Sequence, residues 1–161
     1  CYTDFGGSDF NARWMPPGCL FDMAGPAIFP TSAWLERGVE PRSRLFALLA
    51  LLNSSPVRRL LNAMNPSLHY QVSDLRELPV PEFGHNTERQ LALGAVELVR
   101  GYRAMAADAD TSPLSICMAG AEASQPNRAE LQALRRQLDG VVGKLYGWTP
   151  PTSEPRRHRY G

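Results

Sequence analysis

Residues 49–81 constrain the fold most, because Asn, Ser and Pro residues in this stretch mark where regular elements stop and start. An apolar helix breaks at Asn53-Ser54-Ser55. A second helix restarts at Pro56, which loses nothing in a first turn, where its missing N–H would have no intrahelical partner anyway. Pro66 disfavours the helical conformation at Asn65, so the second helix is expected to end there. These marks predict two short helices in succession.

Extended structure is expected on both sides of this helix pair. Residues 68–72 have the composition of a strand, and Pro79 and Pro81 lack the N–H that a sheet ladder needs, so their run is an edge or exit segment. Residues 1–30 favour β structure, with a hairpin predicted around residues 22–26. The sequence therefore predicts a small sheet in the N-terminal half.

From residue 86 the pattern becomes helical. Residues 87–107 carry one broad apolar side, and Asn127 with Glu130 forms a capping box that opens a second amphipathic helix. The expected fold is α+β: a small N-terminal mixed or antiparallel sheet packed on the two helices of residues 42–64, followed by a C-terminal antiparallel helical pair. The expected domains are an α+β domain, a helical appendage and a disordered basic tail, at residues 1–85, 86–149 and 150–161.

The order and residue choice within residues 49–81, LLNSxxxRxLLxxxNPxxxxQVxDLxxLPxP, resemble a known family. The pattern is similar to the C-terminal region of adenine-specific DNA methyltransferases of the BREX phage-defence (PglX-like) and type IIG restriction kinds. PPGCLFDMAGPAIFP (residues 16–30) resembles the hairpin of that region, and LRRQLDGVVGKLYGWTP (residues 134–150) resembles its closing helix. The resemblance implies a target-recognition fragment of a DNA adenine-N6 methyltransferase in a restriction or phage-defence system.

The same resemblance implies where the chemistry lies. The chain contains neither a Gly-rich loop for S-adenosylmethionine nor the Asn/Asp-Pro-Pro-aromatic motif, since Asn65-Pro66 is followed by Ser67. No catalytic, cofactor-binding or metal-binding residue is therefore expected here. The chain begins at Cys1 and reads as a fragment, so methyl transfer from S-adenosylmethionine would belong to an N-terminal methyltransferase domain of the same protein. The implied partners are double-stranded DNA, that domain and other defence-system subunits.

The net charge does not indicate whether the partner is a nucleic acid, because 17 basic residues are nearly balanced by 16 acidic ones, for a formal charge of +1. Arginine pairs with guanine and asparagine with adenine in the major groove, so Asn11 and Arg13 are the candidates for base contacts. The alternative interpretation of that pair is the solvated face of an edge strand. The candidates for phosphate contacts are Arg156, Arg157 and Arg159 of the C-terminal tail. Arg58 and Arg59 are further DNA-binding candidates, and their alternative interpretation is a solvated helix face.

Two other functions remain open from the sequence. The chain could be half of a type I restriction specificity subunit, in which a recognition domain also ends in Leu-Pro-x-Pro and leads into a long helix. It could also be a helical interaction module with no nucleic-acid role. No apolar run is long enough for a membrane span, and the three cysteines show no zinc-binding spacing, so a reducing cytoplasm is the expected location.

Overall fold

The computed structural model of the 161-residue chain describes residues 1–2, 10–15, 18, 20, 25–67, 69–109 and 127–148. Six helices form in these ranges. They are α1 (Ser32–Glu36), α2 (Pro41–Leu52), α3 (Ser55–Met64), α4 (Val72–Glu77), α5 (His85–Ala109) and α6 (Arg128–Leu145). The two consecutive helices predicted within residues 42–64 are confirmed, as are the two long helices predicted after residue 86.

The starts of α3 and α6 are fixed by side chains that accept hydrogen bonds from free backbone N–H groups. The Ser54 hydroxyl accepts from the N–H of Val57 at 3.4 Å. At α6, Asn127 accepts from the N–H of Ala129 at 3.0 Å, and Glu130 accepts from the N–H of Asn127 at 3.1 Å. The capping box of α6 is the one that the sequence predicted, and each of these contacts satisfies a donor that the helix itself leaves unpaired.

Helix α2 is the centre of the fold, because it is apolar nearly all round. Its buried side chains include Phe46, Leu48 and Leu51, and α5 packs along it more extensively than any other helix does. Leu51, Leu61, Leu91 and Val142, from four different helices, are fully buried in one cluster. The hydrophobic core is therefore shared by residues on both sides of position 85.

Helices α5 and α6 run antiparallel, as predicted. Leu138 of α6 lies directly against Gly94 of α5. Further along α6, the Tyr146 hydroxyl donates a hydrogen bond of 2.7 Å to the carbonyl of Pro79, which precedes α5. Going forward along α6 thus means going backward along α5. Burial at this contact raises the pKa of Tyr146 to about 12, because the phenolate form would be poorly solvated.

A buried ion pair joins α2 to α5. Arg44 and Glu88 are 1% and 0% exposed, and their nearest charged atoms are 3.4 Å apart. The second carboxylate oxygen of Glu88 accepts the N–H of Val39 at 2.8 Å. Arg44 also reaches Glu82 at 3.0 Å and places its guanidinium 4.5 Å from the centre of the Trp34 ring. Each charge therefore has polar or aromatic partners, as burial requires.

The predicted N-terminal sheet is wrong, and with it the α+β class. In the described residues of this segment Tyr2 and Ala12 form an isolated antiparallel bridge, and the Tyr2 N–H donates to the carbonyl of Pro26 at 3.0 Å. A further strand cannot pair with the backbone of Ala12, because the side chain of Asn53 takes both its N–H and its carbonyl. Of the described aromatic residues in this segment, Tyr2 and Phe10 are buried in the core that the helices share, and Trp14 packs on Phe46 of α2.

The strand expected over residues 68–72 is also corrected, because α4 begins at Val72. Asp74 accepts the N–H of Gln71 at 2.8 Å, which fixes that start, and it accepts the side-chain amide of Asn65 at 2.6 Å. Asn65 ends α3 and also donates to the carbonyl of His69 at 2.9 Å. Its amide is therefore engaged in joining α3 to α4, which is a structural role.

A candidate nucleic-acid interface

A groove of about 710 Å³ lies where α2, α3, α5 and α6 meet the N-terminal segment of residues 10–14. Its floor is apolar and includes Leu49 of α2, Leu98 of α5 and Leu138 of α6. Aromatic and polar side chains stand around this floor. The groove volume is in the range typical of small-molecule and cofactor sites.

Positive charge is concentrated at the groove. Four arginines and one aspartate are among the described residues that line it, namely Arg13, Arg58, Arg103, Arg135 and Asp139. Four positive charges less one negative charge leave a formal charge of +3 there, against +1 for the whole chain. A cleft lined by one sign of charge raises the local concentration of an oppositely charged ligand, so the groove favours anions.

The one carboxylate of this set is tied to the start of α3. Asp139 accepts the backbone N–H of Ser55 at 2.8 Å and its hydroxyl at 2.6 Å. Arg58 donates to the same hydroxyl at 3.2 Å. A carboxylate at a helix N-terminus is stabilised by the helix dipole. Asp139 therefore joins α6 to α3, and the net charge of +3 at the groove already includes its carboxylate.

The N-terminal wall of the groove is held by the side-chain amide of Asn53. Its oxygen accepts the N–H of Ala12 at 3.0 Å, and its nitrogen donates to the carbonyl of Ala12 at 2.9 Å. Ala12 is buried, whereas Asn11 and Arg13 on either side are exposed. In extended backbone, residues two apart point to the same side. The two hydrogen bonds of Asn53 to Ala12, called the clamp below, therefore present Asn11 and Arg13 together.

Replacing Asn53 with alanine is expected to lower the free energy of unfolding by about 1–3 kcal/mol, because the backbone groups of Ala12 lose both partners. Chemical denaturation measures this decrease. The matched control is Asn86→Ala, which removes an exposed asparagine. If the two variants unfold at the same denaturant concentration, the clamp does not hold the segment in solution.

Trp14 lies beside the arginines and is half-buried. Its ring contacts Phe46 of α2, with ring centres 6.0 Å apart. The guanidinium carbon of Arg103 lies 5.7 Å from the centre of the Trp14 ring, a cation–π distance. Tyr102, the neighbour of Arg103 on α5, is 46% exposed and also lines the groove. The groove therefore offers aromatic surface together with positive charge.

The structure brings together three of the residues selected from the sequence. Asn11, Arg13 and Arg58 all line the groove. Arg59 does not, and its guanidinium lies 5.8 Å from the centre of the Trp148 ring instead. Three other candidates, Arg156, Arg157 and Arg159, lie outside the described residues.

Sequence reasoning missed two of the groove arginines. Arg103 follows Val99 by one helical turn, and Arg135 follows Leu131 in the same way. Each therefore continues an apolar stripe of its helix at the point where the stripe reaches the groove. This helical spacing is the signal that could have identified both residues.

Two further features, a metal-binding cluster and a membrane-spanning helix, are absent from the described part of the chain. Its residues contain no group of three or more His, Cys, Asp or Glu side chains placed to hold a metal ion. Among the described helices, none has both the length and the apolar character needed to cross a membrane.

Comparison with known proteins gives one informative likeness. No family model matches the chain, and no solved structure matches it significantly. The curated adenine-specific methyltransferase BrxX of Escherichia coli O9:H4 (strain HS) is 32% identical to it over 89 residues. These residues are 55% of this chain and 7% of that protein, so the chain matches only a small part of its relative. Over these 89 residues, the chain is similar to a part of an adenine-specific methyltransferase.

Proposed function

We propose that this chain is the DNA-recognition fragment of a DNA adenine-N6 methyltransferase that serves a restriction or phage-defence system. The groove between the N-terminal segment and helices α2, α3, α5 and α6 would be its DNA-binding surface. The observation that carries the proposal is the positive rim, with Arg13, Arg58, Arg103 and Arg135 around one groove. The likeness to an adenine-specific methyltransferase supports DNA as the polyanion that this rim binds.

Different residues of the groove would have different roles on DNA. Asn11 and Arg13 are exposed on one side of a clamped segment, and their side chains suit adenine and guanine edges. Arg58 and Arg135 come from two helices and would neutralise phosphates, which positions the duplex without reading its sequence. Arg59 and the arginines of the C-terminal tail would add phosphate contacts outside the groove.

Methyl transfer would take place elsewhere in a larger protein. In this proposal an N-terminal methyltransferase domain binds S-adenosylmethionine and the target adenine, and this chain holds the DNA in register. Other subunits of a defence system would join the complex in the cytoplasm, where the DNA lies. The 7% share of the relative that is matched leaves ample length for such a domain.

The double variant Arg58→Ala/Arg135→Ala tests the proposal. We expect it to weaken binding to duplex DNA of any sequence. It should also reduce the slope of log affinity against log salt by about one unit for each phosphate that is no longer neutralised. Fluorescence anisotropy of a labelled duplex, titrated with the full chain at several salt concentrations, measures both effects.

The matched control is Arg42→Ala/Arg89→Ala, which removes the same charge from exposed positions outside the groove. It should change the salt slope by much less than the groove variant does. Equal effects of the two double variants would show that DNA does not bind in the groove. Binding of the unmodified chain that is independent of salt would overturn the proposed function itself.

A further inference from the structure

We infer that the groove receives an unpaired nucleotide, with its base on the apolar floor and its phosphate at the arginine rim. This inference rests on the proposed function, because it takes DNA to be the ligand. It adds that the groove binds a nucleotide outside the base stack more tightly than a nucleotide inside a regular duplex.

The apolar floor is the first reason for this inference. Paired duplex DNA presents phosphates and base edges to a protein, and its base faces are hidden in the stack. Phosphates would bind the arginines but would gain nothing from Leu49 and Leu98, which are partly buried and line the same groove. The flat, apolar face of an unstacked base is the part of DNA that fits such a floor.

The aromatic side chains are the second reason. Tyr102 is 46% exposed and lines the groove, so its ring is available to stack on a base. The guanidinium carbon of Arg103 lies 5.7 Å from the centre of the Trp14 ring, and a planar guanidinium can itself stack on an aromatic face such as that of a base. Stacking tolerates any base, since every base has a π face.

Charge complementarity completes the fit. An unpaired nucleotide joins an aromatic base to an anionic phosphate, and the groove joins aromatic and apolar side chains to a formal charge of +3. Asn11, at the edge of the groove, carries the amide that pairs bidentately with adenine, so a bulged adenine is the best probe. An acidic peptide would match the charge but not the flat stacking surface.

The test compares two duplexes of one sequence, one fully paired and one with a single bulged adenine. The full chain is expected to bind the bulged duplex more tightly. Tyr102→Ala should reduce this preference by about 5- to 150-fold, the effect of removing one stacking aromatic. Arg103→Lys should also reduce the preference while keeping the salt dependence, because lysine keeps the charge but not the plane.

Phe29→Ala is the matched control, because it removes an aromatic residue that is 70% exposed and does not line the groove. It should leave the preference for the bulge intact. Equal affinity for the two duplexes, with normal salt dependence, would overturn this inference and leave the proposed function standing. Absence of salt-dependent binding to both duplexes would instead overturn the proposed function. Competition by polyglutamate as strong as that by an oligonucleotide of equal charge would identify an acidic peptide as the occupant.

Discussion

Replacing Arg44 with methionine is expected to lower the free energy of unfolding by about 3–5 kcal/mol. The side chain of Glu88, 0% exposed, would then have lost its cationic partner in the protein interior. A decrease of this size is a large part of the stability of an ordinary domain. Urea denaturation followed by circular dichroism measures it.

Two further variants test whether the buried charge is the cause. Arg37→Met breaks the exposed pair of Arg37 and Glu82, whose side chains are 57% and 67% exposed, and should cost about 0–1 kcal/mol. Glu88→Gln, made in the Arg44→Met background, keeps an oxygen for the N–H of Val39 and removes the unpaired charge, so it should restore most of the stability. If Arg44→Met costs no more than Arg37→Met, the pair is not buried in solution.

Replacing Gly94 with alanine is expected to destabilise the protein by about 1–3 kcal/mol, although alanine is the better helix former. A Cβ at this position would lie 2.6 Å and 2.9 Å from the two methyl carbons of Leu138. Leu138 is buried and has little room to move, so α6 would be displaced from α5. The free energy of unfolding, taken from urea denaturation, gives the sign of the effect.

Gly140 provides the matched control for this substitution. It lies inside α6, and a Cβ built on it meets no atom within 4 Å. Gly140→Ala should therefore stabilise the protein by about 0.5–1 kcal/mol, as a glycine-to-alanine change in an open helix position does. Gains of equal size at both glycines would contradict the close contact of α5 with α6.

The helices could be predicted from the sequence because their signals are local. Ser54, Pro56 and Asn65 act within one or two turns, and the capping box at Asn127 is complete within four residues. Each of these starts and stops is found where the sequence placed it. The antiparallel arrangement of α5 and α6 also followed, since two amphipathic helices in succession bury their apolar sides most simply against each other.

The N-terminal sheet was predicted wrongly because, in the described residues, a contact with a residue distant in the sequence prevents strand pairing. Strand-like composition in residues 1–30 is real, but Asn53 takes the backbone groups of Ala12 that a neighbouring strand would need. Nothing in the local sequence around Ala12 announces a partner 41 positions away. Tertiary context of this kind commonly overrides β propensity.

The candidate site could be predicted only in part for a similar reason. Asn11, Arg13 and Arg58 were selected by residue type, and the fold places them at one groove. Arg103 and Arg135 join them only because α5 and α6 cross there. The tie between Ser55 and Asp139 spans 84 positions, and no pattern in the sequence connects these two residues. Roles for all of these residues in DNA binding stay predictions.

The buried ion pair has a consequence for the geometry of the groove. Because α2 is apolar nearly all round, hydrophobic contact alone leaves the rotation of α2 against α5 loosely defined, whereas the pairing of Arg44 with Glu88 fixes it. Arg103 lies roughly 22 Å further along α5, at 1.5 Å of rise for each of about 15 residues. A slip of one residue would turn it by about 100°, away from Trp14. A contact at one end of the helix thereby sets the register of the binding surface at the other.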